Sequence, residues 1–498
     1  MAEIYSSTSR DVIFRSAIFC FSIFWLSSCH AGNPTPDISG TVSLPAFLTF
    51  PSLTPTPLAT PNTVFYERPL YRIRAALEIP ATNAGDKMPV LTVHEEAFFS
   101  NTFAESIQEL VLQFVPSVEA DLFSLQGITC DRSSPDNPPA IRDGQLRVAF
   151  KDPLQPGESV SLSLDFRRRL AKENGLIGWD DNQIILGDWY AFFPLYQAGN
   201  GWLAYPPGKV GENLTYPYAD FEIQLDITGG SAYQLAASGI PESDSSPWNF
   251  QFAGRSFAVA LTKENLYPKM SGAVEVLAYA KSGNTAQGAS MADVAAKSID
   301  LYSKLFGEYP HTRFTVVESG LPDGMEFDGL VFLSPGLSPD YTGDGRDYLT
   351  AITAHETAHQ WWYGRVANDQ AMAPWLDESF AAYSELLFYE KYFPSLTDWW
   401  WWIRVNRYPS DQCIDQSIYD FNAFRPYINT VYLRGVTMLN ALRLQMGGVA
   451  FLDSLREIQT AGFERFTTPD DVFRIFQSHS SQSLSGIWDQ YFCRPQSQ

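Results

Sequence analysis

The sequence predicts an α+β protein, with a β-sandwich-like N-terminal domain followed by a mostly α-helical one. Between Phe65 and Leu266, apolar residues recur at every second position between Gly, Pro, Asn and Asp turns. Val160, Leu162, Leu164 and Phe166 share one face there, while Ser161, Ser163 and Asp165 share the other. From Ser290 the period lengthens to a helical one. At 498 residues and 45% hydrophobic, the chain has ample apolar surface for two cores and is not disordered.

The N-terminus reads as a processing segment. Arg10 and Arg15 precede an apolar stretch, Ser16 to Leu26, whose eleven residues are too few to cross a bilayer at about 1.5 Å each. It ends in Leu26-Ser27-Ser28-Cys29, which resembles the lipobox of bacterial lipoproteins. That resemblance implies a signal peptide over 1–28, lipid on Cys29 and an extracytoplasmic protein held to the cell membrane; a plain secretory signal is the alternative. Residues 29–63 then form a tether, since seven prolines and a single charge, Asp37, lie between Asn33 and Thr63.

The β-domain is expected over 64–267. Its strand candidates are Tyr71–Ile79, Leu146–Phe150, Val160–Phe166, Phe221–Ile227 and Phe257–Thr262. The formal charge is −22, with 34 basic and 56 acidic residues, which argues against a nucleic-acid partner. The lone basic run, Arg167-Arg168-Arg169, is read as a solvated strand end. The second domain, 268–498, opens with a stripe of Val294, Ala295, Ile299, Tyr302 and Leu305 that stops at Gly307 and Pro310. A strand, Phe314–Glu318, follows, and the remainder reads helical. The run Trp399 to Trp402 is read as packing. Once Cys20 leaves with the signal and Cys29 takes lipid, Cys130, Cys413 and Cys493 remain. They allow one disulfide at most, with Cys413 and Cys493 the candidate pair, or none.

The chemistry lies in the second domain. His355-Glu356-Thr357-Ala358-His359 puts two imidazoles four apart on one helix face, where one zinc ion can take both. Glu356 stands beside them as a base. The flanks Ala351-Ile352 and Trp361-Trp362 are apolar, so this is a buried histidine pair that needs a partner. A third ligand is available in Glu378, nineteen positions after His359 on what reads as a second, antiparallel helix behind Pro374.

These motifs resemble the gluzincin aminopeptidases, the group of aminopeptidase N and leukotriene hydrolase, in His-Glu-x-x-His, eighteen residues, then Glu. His359-Gln360-Trp361-Trp362-Tyr363-Gly364 and Trp375-Leu376-Asp377-Glu378 are similar to the same signature. The resemblance implies a thermolysin-like catalytic domain and one zinc ion per chain, held by His355, His359 and Glu378. Asp377 and Glu385 are candidates to orient the histidines. Gly324-Met325-Glu326-Phe327 resembles the family's exopeptidase motif. By that likeness Gly324, Met325 and Glu326 bind substrate, with Glu326 on its free amine. The sequence departs from the motif at Asp323, where Gly is usual, and at Phe327, where Asn is usual. Tyr432, in a segment similar to the family's Tyr-x-x-Gly, would steady the oxyanion. Little chain follows Tyr432, so a more open cleft than in larger members is expected. The reading is a zinc aminopeptidase acting on peptides, with no implied oligomeric state. The alternatives are a zinc endopeptidase on the same scaffold, or a peptide-binding lipoprotein without turnover, which would have no use for Glu356.

Overall fold

The computed structural model describes residues 68–493 apart from 82–86, 282, 284 and 322. The expected signal peptide, Cys29 and the tether lie outside the described residues.

The first half is built on a six-stranded sheet. Its strands run in the order Trp248–Gly254, Ala219–Thr228, Leu70–Glu78, Val90–Ser100, Ser159–Arg169 and Phe123–Cys130. Leu70–Glu78 pairs in parallel with Ala219–Thr228, and the other neighbours are antiparallel. The alternation read from the sequence is the alternation seen. Leu162, Leu164, Phe166, Phe221, Ile223 and Leu225 point into one core with Trp189, Phe193 and Phe257. Each such side chain contributes about 1.5–3 kcal/mol on burial. A five-stranded sheet that includes Gln183–Leu186 and Val259–Thr262 stands between this core and the second half.

One reading of this half is corrected. The basic triplet is not a solvated strand end throughout. Arg167 and Arg169 are exposed, but Arg168 is buried and pairs with the Glu119 carboxylate, donating also to the carbonyls of Pro116 and Glu119. Strand alternation turns 168 inward, and the cation enters the core because an anion and two carbonyls meet it there.

The second half carries a five-stranded sheet in the order Asn265–Ser271, Val274–Ala280, Arg313–Glu318, Leu330–Leu333, Met325–Phe327. Asn265–Ser271 straddles the boundary drawn at 267/268. Helix α1, Thr285–Phe306, is the crossover between the parallel strands Val274–Ala280 and Arg313–Glu318. It packs against α2, Tyr348–Ala358, which in turn packs against α3, Trp375–Tyr392. Both α2 and α3 are buried nearly all round, and the acidic and histidine side chains they carry inward are those of the site. Cys413 and Cys493 form a disulfide and Cys130 is free. No helix among the described residues is long and apolar enough to cross a membrane.

Arg255 joins the halves. It is buried, and its guanidinium donates to the carbonyls of Tyr216 at 3.1 Å, Gly364 at 2.9 Å, Arg365 at 3.0 Å and Arg465 at 3.2 Å.

Candidate active site

Helix α2 starts at Asp347, whose carboxylate caps Thr350 N at 2.8 Å, and every one of its residues after Tyr348 is buried. It delivers His355 and His359 to one face, with their Nε2 atoms 3.2 Å apart. The chain then turns away through Tyr363, whose φ of 143° is unusual for a tyrosine and whose hydroxyl bonds Ser256 Oγ at 2.7 Å. Helix α3, entered behind Pro374, returns Glu378, whose Oε2 lies 3.2 Å from His355 Nε2 and 3.5 Å from His359 Nε2.

The two imidazoles and the carboxylate fit a zinc ion. Their ligating atoms lie within 4.8 Å of one another in a buried setting. Each Nδ1 is committed elsewhere, His355 to Glu385 Oε1 at 2.9 Å and His359 to Asp377 Oδ1 at 2.7 Å. That fixes both rings with Nε2 turned to the centre, the arrangement a metal-binding imidazole needs. The donor set, two nitrogens and one oxygen with room for a fourth group, is that of a catalytic zinc site.

These carboxylates are themselves held. Glu385 is fully buried and accepts from Arg404 Nε at 2.9 Å, Arg404 NH2 at 2.7 Å and Trp400 Nε1 at 3.1 Å. The tryptophan run therefore does more than pack, because Trp400 braces the carboxylate that orients His355. Trp402, by contrast, is exposed. Asp377 Oδ2 accepts from Gln370 Nε2 at 2.8 Å, and the same nitrogen reaches Glu212 Oε2 at 2.7 Å.

Ahead of the ligands lies a small cavity of about 60 Å³. Glu356 lines it with one oxygen, Oε2, lacking any hydrogen-bond partner. Glu326 lines it as well, with Oε1 unpartnered and 3.9 Å from His359 Nδ1. Gly324 leaves Glu356 its place, because a Cβ there would sit 1.9 Å from Glu356 Oε1 and push that carboxylate aside. Met325 goes the other way. Its strand neighbours alternate, so Glu326 faces the cavity while Met325 and Phe327 join the apolar cluster behind the strand. Met325 is thus not brought to the substrate side.

Tyr432 sits in a π-helical stretch, Ile428–Arg434, leading directly into the helix Gly435–Met446. Its hydroxyl donates to Glu378 Oε1, and its ring stacks on that of His355 at 5.8 Å. Gly435 makes this approach possible, since a Cβ would lie 1.9 Å from Ser379 Oγ, which itself donates to Val431 O at 2.7 Å. Sequence reasoning missed Glu212, Asp323 and Arg404 as cavity residues, together with an apolar wall of Ile352, Phe424 and Ile428.

The electrostatics divide the acids. Burial would raise Glu378, but hydrogen bonds from His355 and His359 hold its carboxyl down at about 2. Burial would lower His355, yet its bonds to Glu378 and Glu385 lift it to about 9. Glu326, by contrast, is pushed by burial up to about 7 against the pull of His359. Glu356 is raised well above the usual carboxylate range by burial, despite the nearby histidines. Glu212 is raised too, by burial and then by Glu326 and Glu378.

Comparison with known proteins agrees with this geometry. Residues 291–491 match the family model described as the Peptidase family M1 domain. Aminopeptidase M1-B of Oryza sativa subsp. japonica is 24% identical over 231 residues, 43% of this chain and 26% of that protein. The mitochondrial aminopeptidase 2 of Saccharomyces cerevisiae is 32% identical over 117 residues, 22% of this chain and 12% of that one. The chain thus spans about a quarter or less of the length of these relatives. Among solved structures, the M1 zinc metallopeptidase of Deinococcus radiodurans shares the fold with a TM-score of 0.57 at 18% identity, covering 86% of this chain and 94% of its own. A mutant of that metallopeptidase bound to a Tyr-Ser-Ala substrate gives 0.59 at 16% identity, covering 86% and 96%.

Proposed function

We propose, from the premise that residues 291–491 form a Peptidase family M1 domain, that this chain is a zinc-dependent aminopeptidase that removes the first residue of peptides. The observation that carries the exopeptidase part is the pair Glu326 and Glu212. These two carboxylates, Glu326 buried and Glu212 half-buried, line the cavity next to the zinc ligands, and Glu326 Oε1 has no hydrogen-bond partner. A peptide's ammonium is the complementary charge, and seating it there sets the first peptide bond against His355, His359 and Glu378.

When bound, zinc supplies a Lewis acid that lowers the pKa of water from about 15.7 toward about 7. Glu356, poised with an unpartnered oxygen, takes the proton of the attacking water and passes it to the leaving nitrogen. Burial suits it to hold that proton between the two steps. Tyr432 donates its hydroxyl to the carbonyl oxygen as charge builds there. Asp377 and Glu385 keep the two imidazoles in register.

The address belongs to the same reading. Cys29 carries lipid after removal of residues 1–28, and the proline-rich tether holds the enzyme off a membrane surface outside the cytoplasm. The Cys413–Cys493 disulfide supports an oxidising compartment.

The decisive assay compares aminoacyl amides with their N-blocked counterparts, with and without a chelator, beside Glu356→Gln. Chelator-sensitive hydrolysis of the free-amine substrate alone is the expected result. Cleavage of internal bonds in blocked peptides would replace the reading with an endopeptidase, and absence of any chelator-sensitive turnover would remove the enzyme.

A further inference from the structure

The strand Met325–Phe327 is the edge of its sheet, pairing on one side only with Leu330–Leu333. An edge strand is positioned only as well as its free side is anchored. The turn residue Asp328 is tied to Ser256 Oγ, Arg255 N and His311 Nε2 on the side of the first half, and a side chain from the helix region opposite holds the residues on either side of it. Gln360, which follows the zinc ligand His359 directly, is fully buried. Its Nε2 donates to Phe327 O at 3.0 Å, and its Oε1 accepts from Gly329 N at 2.8 Å, with the Tyr309 hydroxyl at 3.4 Å. The side-chain amide thus does what a neighbouring strand would do, meeting one carbonyl and one amide of the hairpin.

We infer that Gln360 is a positioning residue that sets the distance between the amine-binding carboxylate and the metal centre. The inference rests on the aminopeptidase reading above. Gln360 touches neither the metal position nor the cavity. It joins the residue next to one zinc ligand to the residues that follow Glu326. With the bridge gone, Phe327 O and Gly329 N lose this partner, and the hairpin stays tied at Asp328 but is no longer drawn toward the helix that carries His359, so Glu326 shifts relative to the metal centre. The zinc ligands keep their own supports, His359 on Asp377 and His355 on Glu385. Amine recognition and metal binding therefore separate in such a variant, which a general loss of stability would not produce.

The test uses the zinc-loaded protein with Q360M, near in size but without either hydrogen bond, and Q360E, which keeps the acceptor for Gly329 N and loses the donor to Phe327 O. Calorimetry measures the binding of L-leucine, a free amine that is not turned over, against N-acetyl-L-leucine. Metal analysis and kinetics on aminoacyl amides accompany it. Expected are weaker L-leucine binding and a raised KM for free-amine substrates, each by about 10-fold in Q360M and less in Q360E, with kcat and zinc stoichiometry near wild type. If Q360M does not fold, Q360E alone decides by the same readouts. Unchanged discrimination between the free and blocked ligands, or equal losses on both, would overturn the proposal. A wild-type protein that discriminates neither ligand and hydrolyses neither substrate would instead overturn the aminopeptidase reading, so the two failures are distinct.

Discussion

The metal-holding side of the site and the amine-receiving side are built on opposite principles. On the α2–α3 side, both histidines have a carboxylate behind them, and Glu385 has an arginine and a tryptophan behind it in turn. Glu378, met by both histidines and by Tyr432, is held ionised. Facing the cavity, Glu326 on its strand and Glu356 on α2 each keep a buried oxygen with no hydrogen-bond partner, and their carboxyls sit far above their usual range. A saturated polar network rigidifies, whereas an unsatisfied buried acceptor costs about 1–3 kcal/mol until something meets it. One side is a finished holder, and the other stores an unmet demand that, under the proposed function, a substrate amine and a reacting water answer.

Four measurements sharpen or break that contrast. Glu356→Gln removes the base without touching a ligand, so kcat falls by about 10²–10⁴ while metal analysis still finds zinc. Zinc lost along with activity would show that the two sides are not separate. Next in size is Tyr432→Phe, which deletes a donor to the developing oxyanion and lowers kcat by about 10²–10³, with little change in KM. Glu385→Gln then probes the holder, where removing an orienting carboxylate weakens zinc affinity by about 10–100-fold. A chelator titration reads this directly, and preference for free-amine over blocked substrates should persist. The smallest effect is that of pH on the receiver. Glu326 carries its proton below about 7, and a neutral carboxyl does not attract an ammonium. KM for free-amine substrates therefore climbs as pH falls through that value, approaching about tenfold per unit, and Glu326→Gln flattens the climb. A climb that survives in Glu326→Gln would assign the titration to another group.

Much of the holder was legible because its code is local. His355 and His359 are spaced by the helical turn, and Asp377 and Glu378 are adjacent on the next helix. The strands around Val160 and Phe221 and the α1 stripe announced themselves by period. What escaped depends on where distant segments meet. Glu212 comes from the irregular chain between two strands of the first half, where no period or motif marks it. Trp400 reads as packing within an aromatic run and Arg404 carries no motif, since nothing in their spacing tells which carboxylate they face. Arg168 followed the alternation of its strand, but its anion came from a separate loop. Met325 was legible after all. Placing Glu326 toward the site on a strand commits its neighbour to the other face, and the resemblance to a motif outweighed that rule. The π-helical turn that aims Tyr432 left no periodic trace, though Gly435 marked the tight approach behind it.

Arg255 sets the terms for anyone who would take the molecule apart. Its guanidinium donates to three carbonyls of the other half, those of Gly364, Arg365 and Arg465. Expressing that half alone takes from Gly364 O this donor and leaves Arg365 O and Arg465 O with the backbone N–H groups of Glu464 and Ala367, so the loss is about 1–3 kcal/mol where water does not reach Gly364 O, against a typical total stability of about 5–15 kcal/mol. A second half trimmed at the visible seam therefore starts with a loss. A designed single-domain version has to offer Gly364 O, five residues after the ligand His359, another donor at the same spot.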